Sequence, residues 1–414
     1  MTIRKAPSEF IVEERIGDAF REALAEKHDI AHTNATFELR KVSLTTPDAA
    51  RLLARELGAS PGAVSYAGLK DRHAETVQWM TVESRAIRSE PKEVIEGHNW
   101  AARLVGWSPR AILAEAIDGN RFTIVVRNLS KETSAEMDRR VSLLRDESGA
   151  LLIVNYFGAQ RFGSARHGKG FAGPALIRGD FEAALRLLIA TPARKDSGKT
   201  RAITRAAATH WGKWEKLLAE MPSSPERRAI DALASGGSFK EAFCLLPAIT
   251  QQMAVEAYQS LLWNQAARRI ADQIAATSGS GARSGDRKGT PAILKSPDDF
   301  GEMRFPIAQA VAATWRDIQL PLFAKGTELR EPWKRAAEET LRTEGITVGD
   351  LRIPGLKKPY FGEAMRPLFA RADHFELSKP EKDETSKSDR CKRLLTFDLP
   401  RGAYATVVLR ALGQ

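Results

Sequence analysis

Hydrophobic residues recur along this chain at two spacings, and the place where one gives way to the other marks its organisation. From Thr46 to Gly58 the apolar positions Ala50, Leu53, Ala54 and Leu57 share one helical face. Thr46 supplies an N-cap hydroxyl, Pro47 a first helical position and Gly58 a stop, so a helix is predicted there. Ala63–Tyr66 and Thr76–Val82 are short β-prone runs on either side of a polar loop, Gly68–Glu75. Arg121–Arg127 is the clearest strand by alternation. Lys131–Arg145 carries Met137, Val141 and Leu144 at helical spacing, and Ala150–Tyr156 is an apolar run that fits a buried strand.

From about Phe171 to Ile274 the text is rich in Ala, Leu, Arg and Glu with helical periodicity. Residues 277–291 are Gly/Ser-rich and of low complexity. Strand-like text returns at Arg393–Leu399 and, after a turn at Pro400–Gly402, at Tyr404–Leu409, which reads as a carboxyl-terminal strand pair. Glu381–Arg390 reads as a mixed-charge loop without apolar anchors. The pattern predicts a mixed domain interrupted by a more helical one.

Composition changes this picture in two ways. A length of 414 residues accommodates two or three domains. A net charge of +11 with a pI near 9.6 favours a polyanionic partner, nucleic acid before membrane. The start is polar and charged, and no apolar run approaches the roughly 20 residues that span a bilayer, so a cytoplasmic protein without membrane contact is expected. Cys244 and Cys391 stand alone and the histidines lack ligand spacing, so no structural metal is expected. Phosphate-loop and serine-elbow motifs are absent.

Two polar clusters carry chemistry. In Gly68–Trp79 (GLKDRHAETVQW), Asp71 lies between Lys70 and Arg72 on a loop bounded by strands. Flanking cations would keep it ionised, as a carboxylate nucleophile or base requires. The alternative is a solvated turn with a local ion pair. Asn155–Gly163 (NYFGAQRFG), with Arg166, His167 and Lys169, interleaves aromatics with cations as readers of unpaired RNA do. The alternative there is a glycine-hinged junction whose aromatics are core.

Taken together, six segments in order resemble the TruD family of tRNA pseudouridine synthases. They are Arg4–Glu13 (RKAPSEFIVE), Ala67–Trp79, Gly119–Thr123 (GNRFT), Asn155–Gly163, Tyr258–Asn264 (YQSLLWN) and Leu399–Thr406 (LPRGAYAT). Arg4 stands where that family commonly has Lys. The resemblance implies an α+β fold in which a mixed, mainly antiparallel catalytic sheet carries an inserted, helix-rich TRUD domain. The corresponding domains are residues 1–154 and 356–414 for the catalytic part and 155–355 for the insertion. It also implies isomerisation of a tRNA uridine, position 13 in the D-stem region, without a cofactor, by a monomer that needs no obligate protein partner.

Under this resemblance Asp71 is the carboxylate at the ribose, attacking C1′ or removing the C2′ proton. Phe122 is the aromatic plane against the uracil, and Asn120 binds the uracil edge or the turn backbone. Arg4 or Lys5 pairs with Asp71, and Phe10 lines the pocket or serves the core. Lys70, Arg72, His73, Gln78, Gln160, Arg161, Phe162, Arg166 and Lys169 are the expected RNA contacts, along a groove placed between the domains. A non-catalytic RNA binder would dispense with the Asp71 carboxylate. A glycoside hydrolase would need a second carboxylate opposite it, and Glu75 is the only near one in sequence.

Overall fold

Ala35, Phe37 and Leu39 alternate along the strand Asn34–Val42, and all three side chains are fully buried on one face. Onto this face the helix Thr46–Glu56 lays Ala49, Ala50, Leu53 and Ala54, with Leu57 just beyond its end. That pairing of a period-2 face with a helical stripe forms one core of the catalytic sheet. The cap lies one residue earlier than predicted. Thr45, not Thr46, accepts the Asp48 N–H, at 3.2 Å, and Gly58 closes the helix with φ +62°.

The computed structural model describes every residue except 1, 2, 4, 194–195, 280–290 and 387, with backbone alone at 164–168 and 278–279. Its strands are β1 Phe10–Ile16, β2 Asn34–Val42, β3 Val64–Tyr66, β4 Glu75–Glu83, β5 Val94–Gly97, β6 Trp100–Ser108, β7 Ile117–Leu129 and β8 Leu151–Val154. There follow β9 Ile293–Ser296, β10 Met303–Pro306, β11 Gln319–Pro321, β12 Met365–Pro367, β13 Phe369–Leu377, β14 Glu381–Lys382 and β15 Cys391–Pro400. The main sheet runs β5-β6-β2-β4-β1-β7-β15-β13-β8, with β3 on β4 and β14 on β15. β1 and β4 are parallel, whereas β1–β7, β7–β15, β2–β4 and β2–β6 are antiparallel.

The chain divides into two compact units. The first comprises Met1–Leu152, Ala370–Ala405 and Leu412–Gln414; the second comprises Ile153–Phe369 and Thr406–Ala411. The chain re-enters the first unit at Ala370 and not near residue 356. The segment before it is held in the second unit, where β12 pairs with β11 and the Leu368 N–H donates to the Ile318 carbonyl at 2.9 Å. The second unit is helix-rich, as expected. Its longest helix, Ala248–Gly279, buries Val255, Tyr258, Leu262, Trp263, Ala266 and Ile270.

Tyr404–Leu409 is not the second strand of a pair. Ala405–Ala411 is a helix, burying Ala405, Val407, Val408, Leu409 and Ala411 in near succession. A short continuous apolar run carries no periodicity to distinguish the two states, and here the β-branched valines favoured the wrong one. The loop after β13 also lacks apolar anchors, as read, but is held by a buried charge. Asp383 accepts from Arg127 Nη1 at 2.8 Å and from the Asn128 N–H at 2.9 Å.

Candidate active site

Strand register brings five strands into two adjacent rows on one face of the sheet. Lys41 (β2) is opposite Thr76 (β4), Thr76 is beside Val12 (β1), Val12 is opposite Phe122 (β7), and Phe122 is opposite Phe397 (β15). In the next row Leu39 faces Gln78, and Glu14 faces Asn120, which faces Leu399. Side chains two apart on a strand share a face, so Asn120 and Phe122 lie on the same side, as do Val12 and Glu14.

The Asp71 loop is tied to this face at successive residues. The Lys70 N–H donates to Thr46 Oγ1 at 2.9 Å, and Thr46 Oγ1 donates to Gln78 Oε1 at 2.9 Å. Freed from capping its helix, the Thr46 hydroxyl clamps the loop instead. Lys70 Nζ reaches into the sheet to Glu14 Oε1 at 2.8 Å and Asn120 Oδ1 at 2.7 Å. Glu14 spends its other oxygen on the Trp79 N–H at 2.9 Å. From the other side Lys41 Nζ donates to the carbonyls of Leu44 at 2.7 Å and Asp71 at 3.2 Å.

Lys41 is fully buried, and the burial pushes its ammonium down to about 8, while the nearby Asp71 carboxylate pulls it up and Lys70 pushes it further down. A desolvated cation facing a half-buried carboxylate is an arrangement that costs stability unless the two charges serve each other. Two buried polar atoms on the same face, Thr76 Oγ1 and Gln78 Nε2, have no hydrogen-bond partner among the described residues. Such orphans are uncommon in a plain core. Phe122 stacks on Phe397 at 5.5 Å between centroids and 26°, and meets the edge of Phe10 at 6.3 Å.

A clamped loop, a buried lysine and an aromatic plane therefore lie along one face of the sheet, where the sequence motifs converge. The family defined as tRNA pseudouridine synthase D (TruD) matches residues 1–412. The chain belongs to the TruD family. It is a tRNA pseudouridine synthase, an isomerase acting on tRNA. The chain is 29% identical over 420 residues to the tRNA pseudouridine synthase D of Aquifex aeolicus, covering 99% of this chain and 97% of that one. It is 31% identical over 383 residues to the protein described as "Probable tRNA pseudouridine synthase D" of Halobacterium salinarum, covering 88% of this chain and 82% of that one. The crystal structure of the Methanosarcina mazei TruD protein matches with a TM-score of 0.69 at 24% identity, over 99% of this chain and 92% of that one, which bears on the fold. Together these establish the α+β architecture of a TruD sheet.

Of the residues singled out in this TruD chain, Asp71, Asn120, Phe122 and Phe10 gather on or beside one face. Arg4 lies outside the described residues, as does the Arg166 side chain. Lys5 is exposed, its N–H donating to Glu9 at 3.0 Å. Arg72 and His73 are exposed on the loop. Lys70 was expected on phosphates, but its ion pair with the buried Glu14 holds it inside. Gln78 is fully buried beneath Thr46, and Phe162 is buried against Phe171 and Phe300 in the second unit. Both are therefore closed to direct RNA contact in this conformation. Arg161, also in the second unit, pairs with Glu256 at 2.9 Å and with Ser260, while Gln160 and Lys169 are exposed.

Sequence reasoning missed Lys41 and Glu14. Lys41 continues the alternation of Ala35, Phe37 and Leu39, so a lysine on the buried face of β2 was the available signal. Glu75 is buried and paired with Arg40. Neither nearby carboxylate is therefore free to oppose Asp71 as a hydrolase would require. Among the described residues no group of His, Cys, Asp or Glu is gathered to hold a metal, and no helix is long and apolar enough to cross a membrane.

Proposed function

We propose that this enzyme converts a specific uridine in the D-stem region of tRNA, position 13, to pseudouridine, with Asp71 as the reacting carboxylate. The observation that carries the assignment is the buried Lys41, which donates to the Asp71 backbone carbonyl and is near enough for the Asp71 charge to raise its pKa. A charge kept out of water beside a loop carboxylate has little use in a mere RNA-binding scaffold.

Isomerisation breaks the N1–C1′ bond, turns the uracil and joins C5 to C1′; the C5 proton leaves and N1 regains one. Attack on C1′ and removal of the C2′ proton both demand an ionised carboxylate at the sugar. Lys41 supplies the opposing charge, and the clamps on Lys70 and Asp71 fix the loop before substrate arrives. The freed uracil must be held away from water while it turns, and the Phe122 plane supports that role. No step in this scheme calls for a cofactor or metal. The uridine leaves its stack to react, at a cost recovered through phosphate contacts, for which the exposed Arg72, His73 and Lys169 and the half-buried Arg161 are suited. A cytoplasmic, monomeric enzyme fits this role.

The test is to map pseudouridine in total tRNA from cells with and without this protein. Loss of one modification in the D-stem region supports the assignment. Loss at another tRNA position overturns the target and leaves the chemistry standing.

A further inference from the structure

Most aromatic side chains of the second unit are turned inward, but Tyr360 is 56% exposed. It is not loose: its neighbours Pro359 and Phe361 are both buried, so the chain is anchored on either side and the ring is held outward. Its carbonyl accepts from Gln252 Nε2 at 3.4 Å, and the buried Gln259 grips the Gly362 carbonyl two residues on, at 2.7 Å. An aromatic ring fixed in this way gives the core little and loses little entropy when something stacks on it.

Its surroundings are basic. Lys357 and Lys358 stand just before Pro359, both exposed and neither in an ion pair among the described residues. Gln252 also donates to Glu256, which pairs with Arg161, so polar links run from Tyr360 to that guanidinium along the Ala248–Gly279 helix. Ile249, one turn before Gln252, adds an apolar surface that is 67% exposed. A flat ring beside unpaired cations is complementary to an unpaired base and its flanking phosphates.

We propose that this face of the second unit docks tRNA, an unpaired base stacking on Tyr360 and its phosphates meeting Lys357 and Lys358. This inference rests on the tRNA reading above and adds a contact surface apart from the Asp71 loop. The partner is RNA, because an exposed aromatic plane beside two unpaired cations matches a base and its flanking phosphates.

The test uses the full chain and an unmodified tRNA transcript, read by filter binding and by single-turnover release of C5 tritium. Tyr360→Ala should raise the tRNA Kd at least fivefold, while Tyr360→Phe, which keeps the plane, stays within about twofold of the parent. Turnover at saturating tRNA should be unchanged in both. Lys357→Glu combined with Lys358→Glu should weaken binding and reduce the salt slope by about two. A folded Tyr360→Ala protein with parental Kd overturns the proposal. So does an altered sedimentation of that variant without a change in Kd, which would give the patch to a second copy. If the parent itself neither binds nor isomerises tRNA, the underlying reading has failed instead.

Discussion

Lys41 Nζ lies 3.2 Å from the main-chain carbonyl oxygen of Asp71, binding the last buried residue of one strand to the loop that carries this aspartate. The cation thus has two tasks, to hold the loop and to oppose the carboxylate charge. Its titration separates them, because a neutral amine still donates a hydrogen bond. The charged groups that face it are Asp71 and Lys70. Single-turnover activity should fall as pH rises through about 8, where Lys41 loses its proton. The stability contribution has the opposite sign. A lysine whose pKa is lowered on folding stabilises fully only above its unfolded value of 10.5, and that contribution is lost as pH falls through about 8. Activity lost between those values is therefore not unfolding. In Lys41→Met the alkaline limb should vanish at a uniformly low rate with tRNA binding retained; persistence of the limb assigns it to another group.

Asp71→Asn keeps shape and reach but removes the charge. Glu14 is committed to Lys70 and Glu75 to Arg40, so neither replaces it. Tritium release should drop by orders of magnitude while filter binding holds or tightens. Appreciable release by a folded variant would send the search to other carboxylates.

Phe122→Leu removes a stacking plane and part of an aromatic column. Because Phe122 also packs on Phe397 and Phe10, stability should fall by about 1–2 kcal/mol. Turnover should fall at least tenfold at temperatures where the variant is fully folded. A stability loss with intact turnover would leave Phe122 a core residue only.

Arg127 is buried with three acceptors: Glu9 at 2.7 Å, Asp383 at 2.8 Å and Glu384 at 3.0 Å. These carboxylates raise its pKa further, Glu384 most, and in return the guanidinium, with Lys392, holds Glu384 down at about 2. Glu9 also caps the Lys5 and Ala6 N–H groups, so this one guanidinium secures the chain entering β1. Arg127→Met should cost about 3–5 kcal/mol in a denaturant melt by leaving Glu9 and Asp383 buried and unpaired. A loss below 1 kcal/mol would show that water replaces the guanidinium.

Salt dependence sorts the cations. Single charge removals at Arg72, Arg161 and Lys169 should each flatten the slope of log Kd against log salt by about one. Lys70→Met should leave that slope unchanged and lower the turnover, since its ammonium faces Glu14 and Asn120. A flattened slope for Lys70→Met would return it to the RNA surface.

Sequence alone sufficed for what depends on local periodicity and on side-chain chemistry carried in order. The helix after Thr45, the strands around the Asp71 loop, β7, the helical insertion and the family itself were all legible. The strand status of β1, β2 and β6 was not read, because their pairing comes from partners far along the chain. The C-terminal helix was misread because a buried apolar run has no polar face to betray its period. Nor could any local pattern show that Lys70 turns inward to Glu14, that Thr46 leaves its cap to Thr45, or that Lys41 meets Asp71. Those are register relationships between β1, β2, β4 and β7, and only tertiary pairing decides which side chains share a row. Burial then sets the chemistry, since the same lysine on an open strand would be an ordinary solvated cation.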